Sequence, residues 1–205
     1  VLKQEVSNMT IGIIGAGLIG VALARRAAKA NIPVLLSNSR EPGSLSGLVA
    51  EIGGPVRAGT RQEAAAQDLV LVAVNWPKLP AALAGLPDFG GRIVIDANNP
   101  IIGPDFQLAD LHGRLSSEVF TDHVPGARVV KAFNHLPAQL LAEEPRVHGG
   151  RRVLFFAGSD GKAEVSALIG KLGFHGVDLG QINGGGRAIN VPGGGLTIQN
   201  LIRLD

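Results

Sequence analysis

Three glycines at the spacing of Gly15, Gly17 and Gly20, set between an apolar run and a helix-like segment, constrain this chain more than any other feature. The stretch reads Thr10-Ile-Gly-Ile-Ile-Gly-Ala-Gly-Leu-Ile-Gly20. A helical pattern follows over Val21–Ala30, and then a second apolar run, Pro33-Val-Leu-Leu-Ser-Asn-Ser-Arg40. Strand, G-x-G-x-x-G turn, helix and strand in that order predict a β-α-β unit that can cradle a dinucleotide. Gly15 allows the tight turn out of the strand, Gly17 leaves the backbone open to a pyrophosphate, and Gly20 lets the helix approach the strand. Unpaired N–H groups and the dipole at the helix start favour phosphate there. Glycine is abundant (29 of 205 residues), so the flanking elements, and not the spacing alone, give the motif its weight.

The end of the second apolar run selects among dinucleotides. An unphosphorylated ribose wants an Asp or Glu at this point to hold its 2′-hydroxyl. The chain instead carries Ser37-Asn38-Ser39-Arg40, with Glu41 beyond the strand end. Two hydroxyls, an amide and a guanidinium suit a 2′-phosphate that a carboxylate would repel. The expected dinucleotide is therefore NADP, held in part by Asn38, Ser39 and Arg40.

Composition narrows the alternatives. Apolar residues make up 45% and charged residues 18%, which suits a chain with a substantial buried core. The net charge is only +2, without a basic run or an aromatic-rich stretch, so nucleic-acid binding is not expected. The absence of cysteine excludes a disulfide framework, thiol catalysis and cysteine-ligated metal. Five scattered histidines with no H-x-x-x-H pair give no expectation of a metal site. No run approaches the ~18 apolar residues of a membrane span. Residues 1–8 are mixed and polar, unlike a signal peptide, and Met9 is read as the native start, with a cytoplasmic location as the default.

Along the rest of the chain, Ser44 is expected to cap a helix over Leu45–Ile52, Pro55–Ala58 to form a strand, and Thr60 to cap a helix reaching Ala66. Asp68–Asn75 reads as a buried strand, Lys78–Ala84 as a helix and Arg92–Ala97 as a strand. Ile101–Leu115 is turn-rich, and an amphipathic helix over Ser117–His123 precedes a strand at Ala127–Ala132. Further on, a helix is expected over Pro137–Glu143, a polar loop over Glu144–Gly150, a strand at Arg152–Ala157, a helix over Asp160–Leu172 and a strand at Phe174–Leu179. The tail beyond Gly180 holds six glycines before Leu196 and is a poor candidate for rigid core.

This alternation predicts an α/β fold with one doubly wound, mostly parallel sheet of about eight strands and helices on both faces. The expected divisions are an N-terminal extension (1–9), a nucleotide-binding domain (10–179) and a short glycine-rich C-terminal appendage (180–205). No room is left for the all-helical second domain in which many NADP-dependent hydroxyacid dehydrogenases and imine reductases place their substrate residues.

Ligands of such sheets bind outside the carboxyl ends of the strands. Those ends collect Gly15–Ile19, Ser37–Arg40, Val74-Asn75-Trp76-Pro77, Ala97-Asn98-Asn99-Pro100 and Ala132-Phe133-Asn134-His135. The wall is apolar and amide-rich, with no Ser-His-Asp set, paired carboxylates or reactive lysine. Lys131 is read as a strand-end charge reaching solvent. His135 either orients a ligand or is a hydrogen-bonded structural histidine, and Trp76 either walls the nicotinamide pocket or caps the core. No residue is assigned as a catalytic acid or base. Such a wall suits direct hydride transfer between two bound redox groups, whereas a ketone reductase would need a proton donor.

With these motifs the chain resembles the NADPH-dependent reductases of coenzyme F-420 (8-hydroxy-5-deazaflavin). The resemblance runs through Ile13-Ile-Gly-Ala-Gly-Leu-Ile-Gly20, Asn38-Ser-Arg40, Val72-Ala-Val-Asn-Trp76, Val94-Ile-Asp-Ala-Asn-Asn-Pro100, Val130-Lys-Ala-Phe-Asn134 and Phe156-Ala-Gly-Ser-Asp160, and extends to Val177-Asp-Leu-Gly180. It implies a Rossmann sheet that binds NADP and reversible hydride transfer between nicotinamide carbon 4 and deazaflavin carbon 5. By position, Gly15, Ala16, Gly17, Leu18 and Ile19 would hold the pyrophosphate beside Gly20, and Ser39 and Arg40 the 2′-phosphate. Val74, Asn75 and Trp76 would line the nicotinamide side with Asn98 nearby. Ala132, Asn134, His135, Leu136 and the glycine-rich tail would face the acceptor, F-420 or a flavin. A homodimer is also implied. Asn75 departs from the small or proline-like residue expected before the tryptophan. The fold is similar, too, to the cytosolic domain of membrane ferric reductases. A reductase of a quinone or carbonyl compound, or a non-catalytic NADP sensor, are the other readings.

Overall fold

The computed structural model describes residues 9–103, 105–191 and 193–205, so the expected extension over residues 1–9 lies almost wholly outside the described residues. Strand β1 (Ile11–Ile14) passes through the glycine turn into α1 (Leu18–Lys29) and returns as β2 (Val34–Ser37). A 3-10 turn over Pro42–Leu45 runs into α2 (Ser46–Ile52), followed by β3 (Val56–Ala58), α3 (Arg61–Ala65) and β4 (Leu69–Val72). A second 3-10 turn, Trp76–Lys78, leads to α4 (Leu79–Leu83) and β5 (Ile93–Asp96). Next come the short strands β6 (Ile101–Ile102) and β7 (Gln107–Leu108), α5 (Ser116–Thr121), β8 (Arg128–Ala132) and α6 (Ala138–Ala142). The chain then forms β9 (Arg146–Val147), β10 (Gly150–Gly158), α7 (Lys162–Lys171), β11 (His175–Asp178), a 3-10 turn at Gly185–Ile189 and β12 (Ile202–Leu204).

The main sheet has the order β11-β10-β8-β5-β4-β1-β2-β3. Its pairings are parallel except between β8 and β10, so β10 and β11 run against the other six strands. This is the expected doubly wound α/β architecture. β9 and β12 add antiparallel pairings to the first residues of β10.

Strand side chains alternate between two apolar layers, as the two-residue repeat of a strand requires. Ile11, Ile13, Leu69, Leu71, Ile93 and Ile95 join a core with Ala22, Leu23, Ala27, Leu141, Val165 and Leu168 from α1, α6 and α7. Ile14, Val70, Val72 and Val94 face the opposite side, against Ala64, Ala65, Leu79, Leu83 and Phe120 from α3, α4 and α5. A third patch, Val153, Phe155 and Ile189, lies where the C-terminal tail covers β10.

Four expectations need correction. Ser44 does not cap α2: the residue before that helix is Leu45, which makes no capping bond, and the Ser44 hydroxyl accepts a bond from Asn38 Nδ2 at 3.0 Å. The 144–150 loop contains β9, because Arg146 and Val147 find partners in β10. The turn-rich 101–115 segment includes the β6–β7 hairpin. The tail is not excluded from the core, since Gly186 and Ile189 are buried against β10. By contrast, Thr60 does cap α3, in a reciprocal box with Glu63. No helix among the described residues is long and apolar enough to cross a membrane.

Gly12, inside β1, shows how tightly one layer is built: a Cβ there would overlap the Ala64 carbonyl of α3. Gly12→Ala should therefore destabilise the fold by ~1–3 kcal/mol through overpacking, measured by urea unfolding. Gly17→Ala, where a Cβ would meet nothing within 4 Å, should leave stability unchanged within ~0.5 kcal/mol.

Candidate functional site

A cavity of about 530 Å³ lies at the carboxyl ends of β1, β2 and β4. One side is formed by Ile14 to Gly17, with Asn38 and Ser39 after β2 and Ala73, Val74 and Asn75 after β4. Arg61, Lys78, Ala81 and Ala82, from α3 and the 76–83 segment, form the other.

The glycine turn follows from local sterics. Gly15 has φ +115°, and a Cβ there would overlap the Ala73 carbonyl. A Cβ on Gly20 would overlap the Gly15 carbonyl, so the first turn of α1 sits directly on the strand end. Gly17 precedes α1 with open space around it, no side-chain cap and no acidic residue in the first turn of the helix. No carboxylate lines the cavity. Open backbone N–H groups, a helix start and cationic walls without acids fit a phosphorylated dinucleotide. Ala16 and Ile19 are half-buried, whereas Leu18 is 78% exposed at the start of the helix.

The loop after β2 divides its polar groups. Ser37 is fully buried and its hydroxyl donates to the Ile13 carbonyl at 3.0 Å, so it offers nothing to a ligand, contrary to the two-hydroxyl expectation. Asn38 Oδ1 accepts from the Arg40 N–H at 2.8 Å, and its Nδ2 donates to Ser44, so this side chain shapes the loop. Ser39 and Arg40 are exposed, and no hydrogen bond or ion pair from the Arg40 guanidinium is found among the described residues.

Trp76 is buried in the second apolar layer and does not line the cavity; of the two readings for it, the core position is the one observed. Val74 and Asn75 do line it. Asn98 lies behind them at 2% exposure, its Oδ1 accepting the Val74 N–H at 2.8 Å and its Nδ2 donating to Asp96 Oδ1 (2.9 Å) and the Val72 carbonyl (3.2 Å). Asn98 therefore fixes the cavity wall and is screened from its contents.

Lys131 corrects the sequence reading outright. It is 1% exposed, and its Nζ donates to Asp96 Oδ2 at 2.9 Å and to the Asn98 carbonyl at 2.6 Å. Asp96 Oδ2 also accepts from Ser117 Oγ at 2.8 Å. A lone lysine would reach solvent from a strand end, but the facing carboxylate on β5 retains it.

Ala132, Phe133, Asn134, His135 and Leu136 are all buried at the end of β8. Phe133 takes φ +63°, a strained conformation for a bulky residue that costs about 1–3 kcal/mol. Asn134 Nδ2 donates to Asn99 Oδ1 (3.0 Å) and to the Ile189 carbonyl (2.7 Å), while Asn99 Nδ2 returns a bond to the Asn134 carbonyl (2.8 Å). The His135 carbonyl accepts from Ile198 N–H at 2.7 Å, and its ring lies 5.3 Å from that of Phe155. Neither ring nitrogen has a partner within hydrogen-bond geometry. Burial lowers its pKa from 6.5 to about 4, an effect that the nearby Val153 backbone opposes only in part. Burial therefore favours the neutral form of the His135 imidazole, which lies between Phe155 and the Val153 backbone.

Sequence reasoning missed Arg61, Lys78, Asp96 and Ser117. Arg61 and Lys78 begin or precede helices and looked like ordinary solvated charges. A signal for the buried pair was present: Asp96 and Lys131 each interrupt an apolar strand near its carboxyl end.

The doubly wound sheet and its acid-free cleft have the form of a Rossmann-type dinucleotide site. Residues 10–100 match the family described as NADP oxidoreductase, coenzyme F-420-dependent. A hypothetical protein from Sinorhizobium meliloti is 42% identical, with 98% of both chains covered and a TM-score of 0.89. A candidate F-420-dependent NADP reductase from Arthrobacter sp. FB24 is 29% identical, with 85% of this chain and 86% of that one covered, at a TM-score of 0.73. Metalloreductase STEAP3 of Rattus norvegicus is 28% identical over 174 residues; the match takes in 84% of this chain but spans only 34% of that relative. A reductive aminase from Aspergillus terreus, in complex with NADPH and ethyl levulinate, shares the fold at 20% identity and a TM-score of 0.62, over 87% of this chain and 57% of that one.

The state of His135 has a measurable consequence. Its folded pKa of about 4 lies below the ordinary 6.5, so the unfolded chain protonates first as the pH falls. Its contribution to stability is complete above about pH 6.5 and is lost as the pH falls towards 4. Between pH 7 and 5 the protein should lose about 2 kcal/mol more than His135→Gln does, measured by urea unfolding. Equal losses would place the imidazole in a hydrogen bond.

Proposed function

We propose that this chain transfers a hydride between NADP(H) and a deazaflavin such as coenzyme F-420, or a flavin-like acceptor. The observation that carries this reading is the nature of the strand ends: a cationic, acid-free dinucleotide cleft beside an acceptor edge with no group suited to proton transfer. Lys131 is committed to Asp96, and His135 is neutral and a poor proton donor near neutral pH. The Arthrobacter relative supports F-420, while the metalloreductase likeness favours keeping a flavin-like acceptor in the proposal.

In this reading Gly15 to Ile19 hold the pyrophosphate on open backbone N–H groups, with Gly20 allowing the close helix start. Ser39 and Arg40 bind the 2′-phosphate on a loop that Asn38 shapes. Val74 and Asn75 face the nicotinamide, positioned from behind by Asn98, and Trp76 supports them from the core. Ala132, Asn134, His135 and Leu136, expected to face the acceptor, are buried and do not line the cavity, so in this reading they support the acceptor side from within the fold, under the 180–205 tail. When bound, the nicotinamide supplies the hydride. The protein sets distance and face, and the proton that the reduced acceptor ring takes up comes from solvent and not from a side chain. Assembly as a homodimer, a cytoplasmic location, and action on a small redox substrate without nucleic acid or membrane belong to the same proposal.

The test is direct. Purified protein is mixed with NADPH and, separately, with F-420, FMN, FAD and simple quinones, and the nicotinamide absorbance is followed. Loss of absorbance with F-420 or a flavin is the expected result; turnover with quinones alone, or tight binding with no turnover, would overturn the proposed acceptor. Arg40→Ala should weaken NADPH by ~1.5–3 kcal/mol while leaving NADH nearly unchanged, because a charged hydrogen bond to the 2′-phosphate is removed. Equal weakening would exclude Arg40 from that contact.

A further inference from the structure

Arg61 crosses from the start of α3 to α4, where its Nη1 donates to the carbonyls of Ala81 (2.8 Å) and Ala82 (2.7 Å). Ala82 and Leu83 end a helix of only five residues, where carbonyls run out of intrahelical partners. The guanidinium satisfies two of them and is fixed between the two helices. Its Nε and Nη2 form no hydrogen bond with the described residues.

This side of the cavity has its own chemistry. The methyl groups of Ala81 and Ala82 lie beside a pinned, planar cation, facing the loop of Asn38 and Ser39 at the end of β2. Guanidinium planes attract the π faces of heterocycles, and small methyl groups leave the platform flat and accessible. Arg61, Ala81 and Ala82 line the same cleft as Asn38 and Ser39, and the end of β2 is where the adenosine half of a dinucleotide binds in such sheets.

We propose that Arg61 is the purine-recognising residue of the cleft, its guanidinium lying against the face of adenine with Ala81 and Ala82 beside it. This rests on the NADP reading above and divides the work between two arginines: Arg40 takes the 2′-phosphate and Arg61 takes the base. The carbonyls of Ala81 and Ala82 act by positioning the guanidinium.

Binding is measured by nucleotide fluorescence for NADPH, NADH and reduced nicotinamide mononucleotide, which lacks adenosine, on the wild type, Arg61→Met and Arg61→Lys. Thermal unfolding of each variant is recorded alongside. Arg61→Met should weaken NADPH and NADH by the same factor, about tenfold, and leave the mononucleotide unaffected. Arg61→Lys keeps a charge and a carbonyl partner but loses the plane, so it should stay folded and show the same pattern to a smaller degree. A larger loss for NADPH than for NADH would make Arg61 a phosphate ligand and overturn the proposal. Equal loss for all three ligands would reduce it to a tie between α3 and α4, and unchanged binding would remove it from the site. A folded wild type that binds none of the three would overturn the NADP reading itself, an outcome distinct from these.

Discussion

The ion pair between Lys131 and Asp96 holds together the part of the sheet on which the cleft depends. The two residues are register partners on β8 and β5, and both are removed from solvent. Burying two charges is costly, and the attraction between them repays that cost only when the remaining donors and acceptors are also satisfied. Here they are. Asp96 accepts from Lys131, Ser117 and both the backbone N–H and side-chain amide of Asn98, while Lys131 makes a second bond to the Asn98 carbonyl. Asn98 in turn holds the Val74 N–H. A core electrostatic contact is thereby connected, through one amide side chain, to the backbone that lines the cavity.

The same logic explains the C-terminal tail. Its glycines invite a reading of flexibility, yet a Cβ on Gly186 would press on Ala157, and one on Gly194 would overlap the Ala188 and Asn190 carbonyls. These glycines serve close approach. They let an irregular segment lie flat on the face of β10, where Val153 and Phe155 would otherwise lack cover, with Ile189 completing the apolar patch. The segment is tied to the end of β8 at two points, from Asn134 to the Ile189 carbonyl and from Ile198 to the His135 carbonyl.

Much of the fold was legible because its signals are local. Apolar runs ended by glycine or by a capping residue such as Thr60 located the helices and the eight strands of the main sheet order to within a few residues, but not the short strands β6, β7, β9 and β12. The glycine turn was legible for the same reason, since φ at Gly15 and packing at Gly20 are decided within one β-α unit. What was not legible depends on partners distant in sequence. Lys131 looked solvated because Asp96 lies 35 residues earlier. Ser37 looked like a ligand until the Ile13 carbonyl on the neighbouring strand took its hydroxyl. Trp76 had two reasonable places, and only the packing of α3, α4 and α5 decided between them.

These distant partners bear on the chemistry. Lysine and histidine at the end of a β8-type strand are the residues one would first ask to move a proton. The fold takes both out of that role by different means: it pairs Lys131 with a buried carboxylate, and it surrounds His135 with apolar groups that keep it neutral. The strained Phe133 beside the imidazole carries a standing cost in stability. An end of β8 whose lysine is paired and whose histidine favours the neutral form is what the hydride-transfer proposal requires of it, because no side chain there competes to deliver a proton. Within that proposal, the charge at the end of β2 would select the donor, and the uncharged end of β8 would suit the acceptor.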